Sequence, residues 1–404
     1  MSIANKTAQD LWSRFQVIHG HAPKDEWESL LSLAQKTASE AFDDNSATRE
    51  QAELSVHRVL YALYAGSIVA PWEAHWKDVD HYLFVQLRQT LEQSWNESEV
   101  EKYANFFGDL PQAEDFESWA NQHCETHRSN LFHPLFGFLR ENATRQQLTE
   151  FLVQETPFDV HFGDILAKML PGVYGDAKTE FSKNFWDEMG CGDTGEMHRQ
   201  LRVEMIKSLG VCEDVHLLEI ERFCVEELRL ANMYFHTAFN RALLPQAIGM
   251  MLATELMVPG RLDQQIEGWR RVGLSDDDMR YLIIHTVVDV EHAAGWMNEV
   301  VKPLIKKDPS FIPAIAFGMA RRLEHAAQVC DPGDRGVCLA GASRRTRGEG
   351  PDQPSADAAR LAGACQAAGL RRRLDSGDQR SGGAGKDEPA AVDAEGRQTD
   401  RTHV

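Results

Sequence analysis

Cysteine is scarce in this chain: seven residues in 404, an odd number, with no C-x-x-C pair. That argues against a disulfide framework and against a cysteine-rich zinc module. No run of about 18 apolar residues occurs, which argues against a membrane span. The opening stretch, MSIANKTAQDLWSRF, has no basic segment followed by an apolar one, so no secretory signal is visible. The expected compartment is therefore a reducing cytoplasm. Positive charge is also short: 42 Lys and Arg stand against 62 Asp and Glu, a formal net charge of -20. Such a balance disfavours nucleic acid or an anionic membrane as partner. Alternating Val/Ile/Thr strands and Asn-Gly hairpin turns are missing as well, which speaks against a β-sheet.

What the chain does have is helical periodicity. Apolar residues recur at helical spacing through Leu54, Val56, Val59, Leu60, Leu63 and Tyr64, and again through Val225, Leu228, Leu230, Met233, Tyr234 and Phe235. The expected fold class is all-α. Helix breaks are expected at Pro71, Pro111, Pro134, Pro171-Gly172, Pro259-Gly260 and Pro303. The length predicts more than one unit. Residues 1–110 read as a helical N-terminal region and a candidate homodimer surface, and residues 111–330 as the main helical domain. Residues 331–404 differ from both. They contain no Phe, Trp, Tyr, Ile or Met, hold 12 of the 29 glycines, and balance 12 basic residues against 12 acidic ones. So little apolar surface does not offset chain entropy, and the segment is expected to be disordered. Its Arg/Gly/Ala/Pro texture also resembles a GC-rich gene read out of frame.

Four segments carry residues suited to chemistry. In Y281-L-I-I-H-T-V-V-D-V-E-H-A-A294, His285, Asp289 and His292 stand at i, i+4 and i+7 on one helix face, among Leu, Ile and Val. In N184-F-W-D-E-M-G-C-G-D-T-G-E-M-H198, Glu188 precedes a glycine-broken stretch and His198 opens the next helix. In A247-I-G-M-M-L-A-T-E-L-M-V-P-G260, Glu255 sits at an apolar helix end. The fourth, F151-L-V-Q-E-T-P-F-D-V-H161, adds Glu155 and Asp159 as further candidates.

Each feature has a plain reading: a solvated polar face for the H-x-x-x-D-x-x-H helix, an Arg partner or a cap for Glu255. As a set they read differently. Three His and three carboxylates on separate helices form a ligand list suited to two iron or manganese ions. Three carboxylates against two divalent ions leave about one net positive charge, far cheaper to bury than three bare anions. A hydrolytic zinc site lacks its H-E-x-x-H, and a haem site would use one His and leave the carboxylates unexplained. The ferritin-like plan needs two Glu-x-x-His pairs, and only Glu213–His216 fits. Phe185, Trp186, Tyr234, Phe235 and Met251 are the candidates to line a pocket beside the ligands.

The order Glu188, His198, Glu255, His285-x3-Asp289-x2-His292 resembles the haem-oxygenase-like di-iron oxidases and oxygenases. The resemblance covers about residues 115–330 and includes H133-P-L-F. The ten-residue step from Glu188 to His198 is similar to that of the N-oxygenating branch. This resemblance implies a haem-oxygenase-like helical bundle over residues 111–330. It implies two Fe(II) ions on those six residues, with Glu155 or Asp159 as a further ligand, O2 as co-substrate and an external electron donor. The implied activity is oxidation of an amine nitrogen in a small amino-acid-derived or heterocyclic molecule, free or tethered to a carrier protein. Relatives of the same fold act as desaturases or C–C lyases, and a non-catalytic helical binding protein is the bland alternative.

Overall fold

The structure is a computed structural model that describes residues 10–18, 22–73 and 81–331. The tail read as disordered, residues 331–404, lies outside the described residues apart from Asp331. Among the described residues there is no strand, so the all-α expectation holds. The N-terminal part holds α1 (Leu11–Val17), α2 (Lys24–Ala41), α3 (Arg49–Gly66) and α4 (Tyr82–Tyr103). Next come α5 (Phe116–Thr126), α6 (Pro134–Glu141), α7 (Arg145–Asp159), α8 (Phe162–Met169), α9 (Asp176–Glu188) and α10 (His198–Ser208). The last part holds α11 (Val215–Leu218), α12 (Val225–Phe239), α13 (Leu244–Arg271), α14 (Arg280–Gly295), α15 (Lys302–Lys307) and α16 (Ile312–Cys330).

The long helix α13 is the axis of the bundle, with α5, α6, α12, α14 and α16 packed around it. Its crossing with α16 is close because both helices place glycine there. A Cβ on Gly249 would sit 1.9 Å from the Ile315 carbonyl oxygen, and one on Gly318 would sit 2.0 Å from that of Gln246. No side chain fits either gap, so the two backbones touch. Residues 241–271 have the length and composition of a membrane span, yet 56% of the most apolar 18-residue window within them is buried in the fold. It is the core helix of the bundle.

One of the expected breaks is a start: Pro134 occupies the first turn of α6, where a missing N–H costs nothing. Pro303 interrupts no helix, since helical backbone runs on from α14 through Trp296–Val301 into α15. Pro259 breaks nothing: it lies inside α13. It has no N–H to offer the carbonyl four residues back, which is that of Glu255. The helix carries on because its flanks are packed on five neighbours, and Glu255 lies mid-helix instead of at an end.

The junction expected near residue 110 falls between α4 and α5. The helices on either side share one apolar core, built from residues such as Trp27, Leu60, Tyr64, Leu91, Phe235, Met251 and Leu323. A buried polar contact adds to it: Glu99 of α4 accepts from Arg321 Nε at 2.9 Å and from His325 Nε2 at 2.7 Å, both on α16. A second apolar cluster, with Phe136, Phe151, Leu201, Trp269, Tyr281 and Leu282, joins α6, α7, α10, α13 and α14. Helices α9, α10, α13 and α14 bring polar side chains together between these clusters.

Candidate metal centre

Helix α9 ends at Glu188, and the chain must turn back sharply for His198 to open α10. The turn is made by Gly190, Cys191 and Gly192, at φ of 59°, 52° and 92°. Gly190 is the tightest point, since a Cβ there would lie 2.5 Å from the Glu196 carbonyl carbon and 2.6 Å from Met197 N. Asp193 closes the second half by accepting from Gly195 N at 2.9 Å. The result is that His198 Nδ1 stands 2.9 Å from Glu188 Oε1, with both side chains buried.

Helix α14 supplies three more groups. The His285 ring lies 4.4 Å from the His198 ring, centroid to centroid. Its Nδ1–H donates to the Tyr281 carbonyl at 2.6 Å, one turn earlier. That bond fixes the tautomer and leaves Nε2 with its lone pair free to bind. Burial, and then the neighbouring His198, push the His285 imidazole down to about 4, so it is neutral at physiological pH. One turn on, Asp289 and His292 meet Glu255 from α13, with His292 Nδ1 3.8 Å from Glu255 Oε2. His292 Nε2–H donates to Asp187 Oδ2 at 2.9 Å, which leaves Nδ1 facing Glu255.

The six side chains singled out in the sequence thus come together as two groups of three: Glu188, His198 and His285, then Glu255, Asp289 and His292. Within each group the ligand-type atoms lie within 4.8 Å of one another. Burial drives the Glu255 and Asp289 carboxyls well above the usual carboxylate range. The charges of Asp289, Glu188 and Glu180 add to this at Glu255, and that of Glu188 at Asp289. So many acids share one dry site at a cost of several kcal/mol per charge unless a cation is present. Two orienting hydrogen bonds, free imidazole lone pairs and crowded carboxylates are what a pair of divalent metal ions requires, and the residues fit that group.

Glu155 and Asp159 belong to neither group. Both are on α7 and line the cavity beside the site, where Asp159 is ion-paired to Arg202 at 2.9 Å. The cavity holds about 100 Å³, against the ~10–15 Å³ that one water needs, so it has room for more than a single water. Its apolar wall is Phe158, Phe162, Leu230, Val258, Leu262 and Leu282. The five pocket residues expected from the sequence do not line it. Tyr234, Phe235 and Met251 are buried in the main core, Phe185 packs on that core, and Trp186 is 53% exposed. They sit near ligands in sequence but on other helix faces.

Sequence reasoning missed Asp187, the acceptor for His292, although it stands next to Glu188. It also missed Glu180, which is buried on α9 and accepts from Asn184 Nδ2 at 2.7 Å. Asn184 Oδ1 in turn accepts from Trp296 Nε1 at 2.9 Å. Trp296 opens the π-helical stretch Trp296–Val301 that follows α14, an irregularity often found beside functional sites.

Residues 149–327 match the family described as iron-containing redox enzymes. That segment is therefore similar to redox enzymes that carry iron. It contains all six side chains of the two groups. The chain is also 26% identical, over 182 residues, to the nitrosourea synthase of Streptomyces achromogenes subsp. streptozoticus. The aligned stretch is 45% of this chain and 37% of that enzyme, so the chain spans little more than a third of the curated relative it matches. A Shewanella denitrificans domain of unknown function, described as having a heme oxygenase-like fold, overlays with a TM-score of 0.43 and 14% identity. The overlay covers 61% of this chain and 100% of that one.

Proposed function

We propose that this domain is a non-haem di-iron, O2-dependent oxygenase that oxidises an amine nitrogen of a small amino-acid-derived or heterocyclic substrate. The observation that carries the reading is the pairing of two three-residue groups beside one cavity, whose lining includes His285 of the first group and Glu255 and Asp289 of the second. Glu188, His198 and His285 would hold one iron; Glu255, Asp289 and His292 would hold the other. The iron pair, when bound, supplies the electrons and the O2 binding that no side chain offers. The similarity to a nitrosourea synthase supports nitrogen as the atom oxidised.

The chain's own contribution is placement and protection. The Tyr281 carbonyl and the Asp187 carboxylate fix the two imidazole rings. Phe158, Phe162 and Leu230 keep water from the cavity. Asp289 and Glu255 release their protons when the cations arrive. Placing one oxygen atom on nitrogen and reducing the other to water takes two electrons beyond those of the amine, hence the external donor.

The test is anaerobic loading with Fe(II), metal counting, then exposure to O2 with candidate amines and mass spectrometry of the products. Two irons per chain and a product heavier by one oxygen, carbon skeleton intact, support the proposal. A product that has lost carbon or two hydrogens points to a lyase or desaturase of the same fold. If His285→Ala, Asp289→Ala and His292→Ala all keep the full iron content, the ligand assignment fails.

A further inference from the structure

We propose that the cavity selects substrates bearing a carboxylate, and that Arg322 is the side chain that anchors it. The inference builds on the oxygenase reading for its chemistry, but the binding it describes needs no iron. Arg322 is on α16, is 4% exposed and lines the cavity. Its Nε donates to Thr254 Oγ1 at 3.0 Å. Its Nη1 is buried without a hydrogen-bond partner. Among the described residues no carboxylate lies within ion-pair distance of it.

Two other buried arginines nearby also keep unpartnered nitrogens, but each has a direct carboxylate partner. Arg202, on the same cavity, is paired with Asp159 at 2.9 Å and donates to the Leu152 carbonyl at 2.6 Å. Arg321, the preceding residue on α16, is paired with Glu99 at 2.9 Å. The Arg322 charge acts on Asp159 and Glu255 from beyond ion-pair distance, and its side chain also meets the Tyr234 hydroxyl, yet no carboxylate touches the guanidinium, so part of its desolvation cost stays uncompensated. The planar fork of a guanidinium matches a carboxylate, which completes it with two parallel hydrogen bonds. The place is also the right one. Thr254, which fixes the Arg322 head, immediately precedes Glu255. A carboxylate on Arg322 would therefore direct the rest of a small molecule along the cavity towards Glu255, Asp289 and His285, which share its lining.

The test uses the full-length protein, stripped of metal so that Arg322 and not iron is the anion's partner. The probe is carbon-13 acetate, small enough for the cavity, observed by NMR line broadening, with neutral acetamide as control. Acetate should bind saturably and acetamide at least roughly tenfold more weakly, a difference of about 1.4 kcal/mol. Arg322→Met should abolish the acetate effect, and Arg322→Lys should keep a weaker one, because an ammonium retains the charge without the fork. The proposal falls if the parent shows no saturable acetate binding, if acetamide binds equally, or if Arg322→Met binds acetate as the parent does. Should Arg322→Met fail to fold, the Lys variant and the acetamide control still decide. Iron counting on the same preparations separates the two readings: acetate binding without iron binding leaves the anchor standing and removes the oxygenase.

Discussion

Replacing Asp187 by alanine should weaken one metal group and spare the other. Asp187 touches His292 alone among the six grouped side chains: its Oδ2 accepts from His292 Nε2 at 2.9 Å. Without it the imidazole is free to rotate, or to take the tautomer with its proton on Nδ1, the atom that faces Glu255. A hydrogen bond to a charged acceptor contributes about 1.5–3 kcal/mol. At ~1.4 kcal/mol per decade that is roughly ten- to a hundredfold in metal affinity. The first group has its own orienting bond, from His285 to the Tyr281 carbonyl, and does not depend on Asp187.

The assay is an anaerobic Fe(II) titration against a competing chelator, which resolves two affinities in the parent. Asp187→Ala should lower one by that factor and leave the other within about threefold, under 1 kcal/mol. Asp187→Asn is the control for damage to α9, since its amide oxygen still accepts from His292 and should recover most of the loss. Equal weakening of both sites, or no weakening of either, would refute the reasoning.

Further outcomes follow from the same geometry. Gly190→Ala should destabilise the protein by about 1–3 kcal/mol and cost iron at the first group, because the turn that delivers His198 to Glu188 has no space for a Cβ; metal counting and thermal unfolding read both. Glu255→Gln should raise the melting temperature of the metal-free protein at pH 8, by removing a buried acid that is costly to ionise, while lowering iron affinity. The pH response follows from the raised Glu255 and Asp289 carboxyls. As pH climbs past the ordinary carboxyl range, near 4, the unfolded chain loses these protons first. Metal-free stability from the pair then falls with rising pH. Metal binding needs those protons gone, so the melting-temperature gap between loaded and metal-free protein should widen from about pH 6 to 8; a constant gap would count against metal binding there. Glu99→Gln should cost about 3–5 kcal/mol in urea unfolding without changing iron content, because it leaves Arg321 and His325 buried without their anion.

Much of the site was legible because its residues violate their surroundings. Glu255 among methionines, and His285, Asp289 and His292 among Leu, Ile and Val, stand out at helical spacing. The division into two groups was not legible. A shared helix face suggests three ligands on one ion, whereas His285 joins Glu188 and His198, and its two companions join Glu255. Nor could spacing reveal the Tyr281 carbonyl, which every residue type possesses, or Asp187, which looks like one more acid in an acidic chain. Pro259 misled for a different reason. A local rule ends the helix there, and packing on both flanks of α13 overrides it. The pocket aromatics failed on phase, since nearness in sequence to a ligand says nothing about which helix face a neighbour occupies.

The division into two groups follows from helix geometry. His285 and His292 are seven positions apart, which at 1.5 Å per residue is roughly 10 Å along α14. One ion cannot be reached by both ends of such a span, so each end needs partners from other helices. At the first end they come from the Glu188–His198 turn, and at the second from Glu255. The second end is also held by Asp187, adjacent in sequence to Glu188. Consecutive residues on α9 therefore serve different groups: Glu188 belongs to the first, while Asp187 orients the ring of the second. A small rotation of α9 would move both contacts at once, and the Glu180–Asn184–Trp296 hydrogen bonds oppose it by tying α9 to the π-helical turn beyond α14. Both groups are thus set by the register of α9 against α14, which predicts that Asn184→Ala, one helix turn before Glu188 and in neither group, weakens both irons together where Asp187→Ala weakens one.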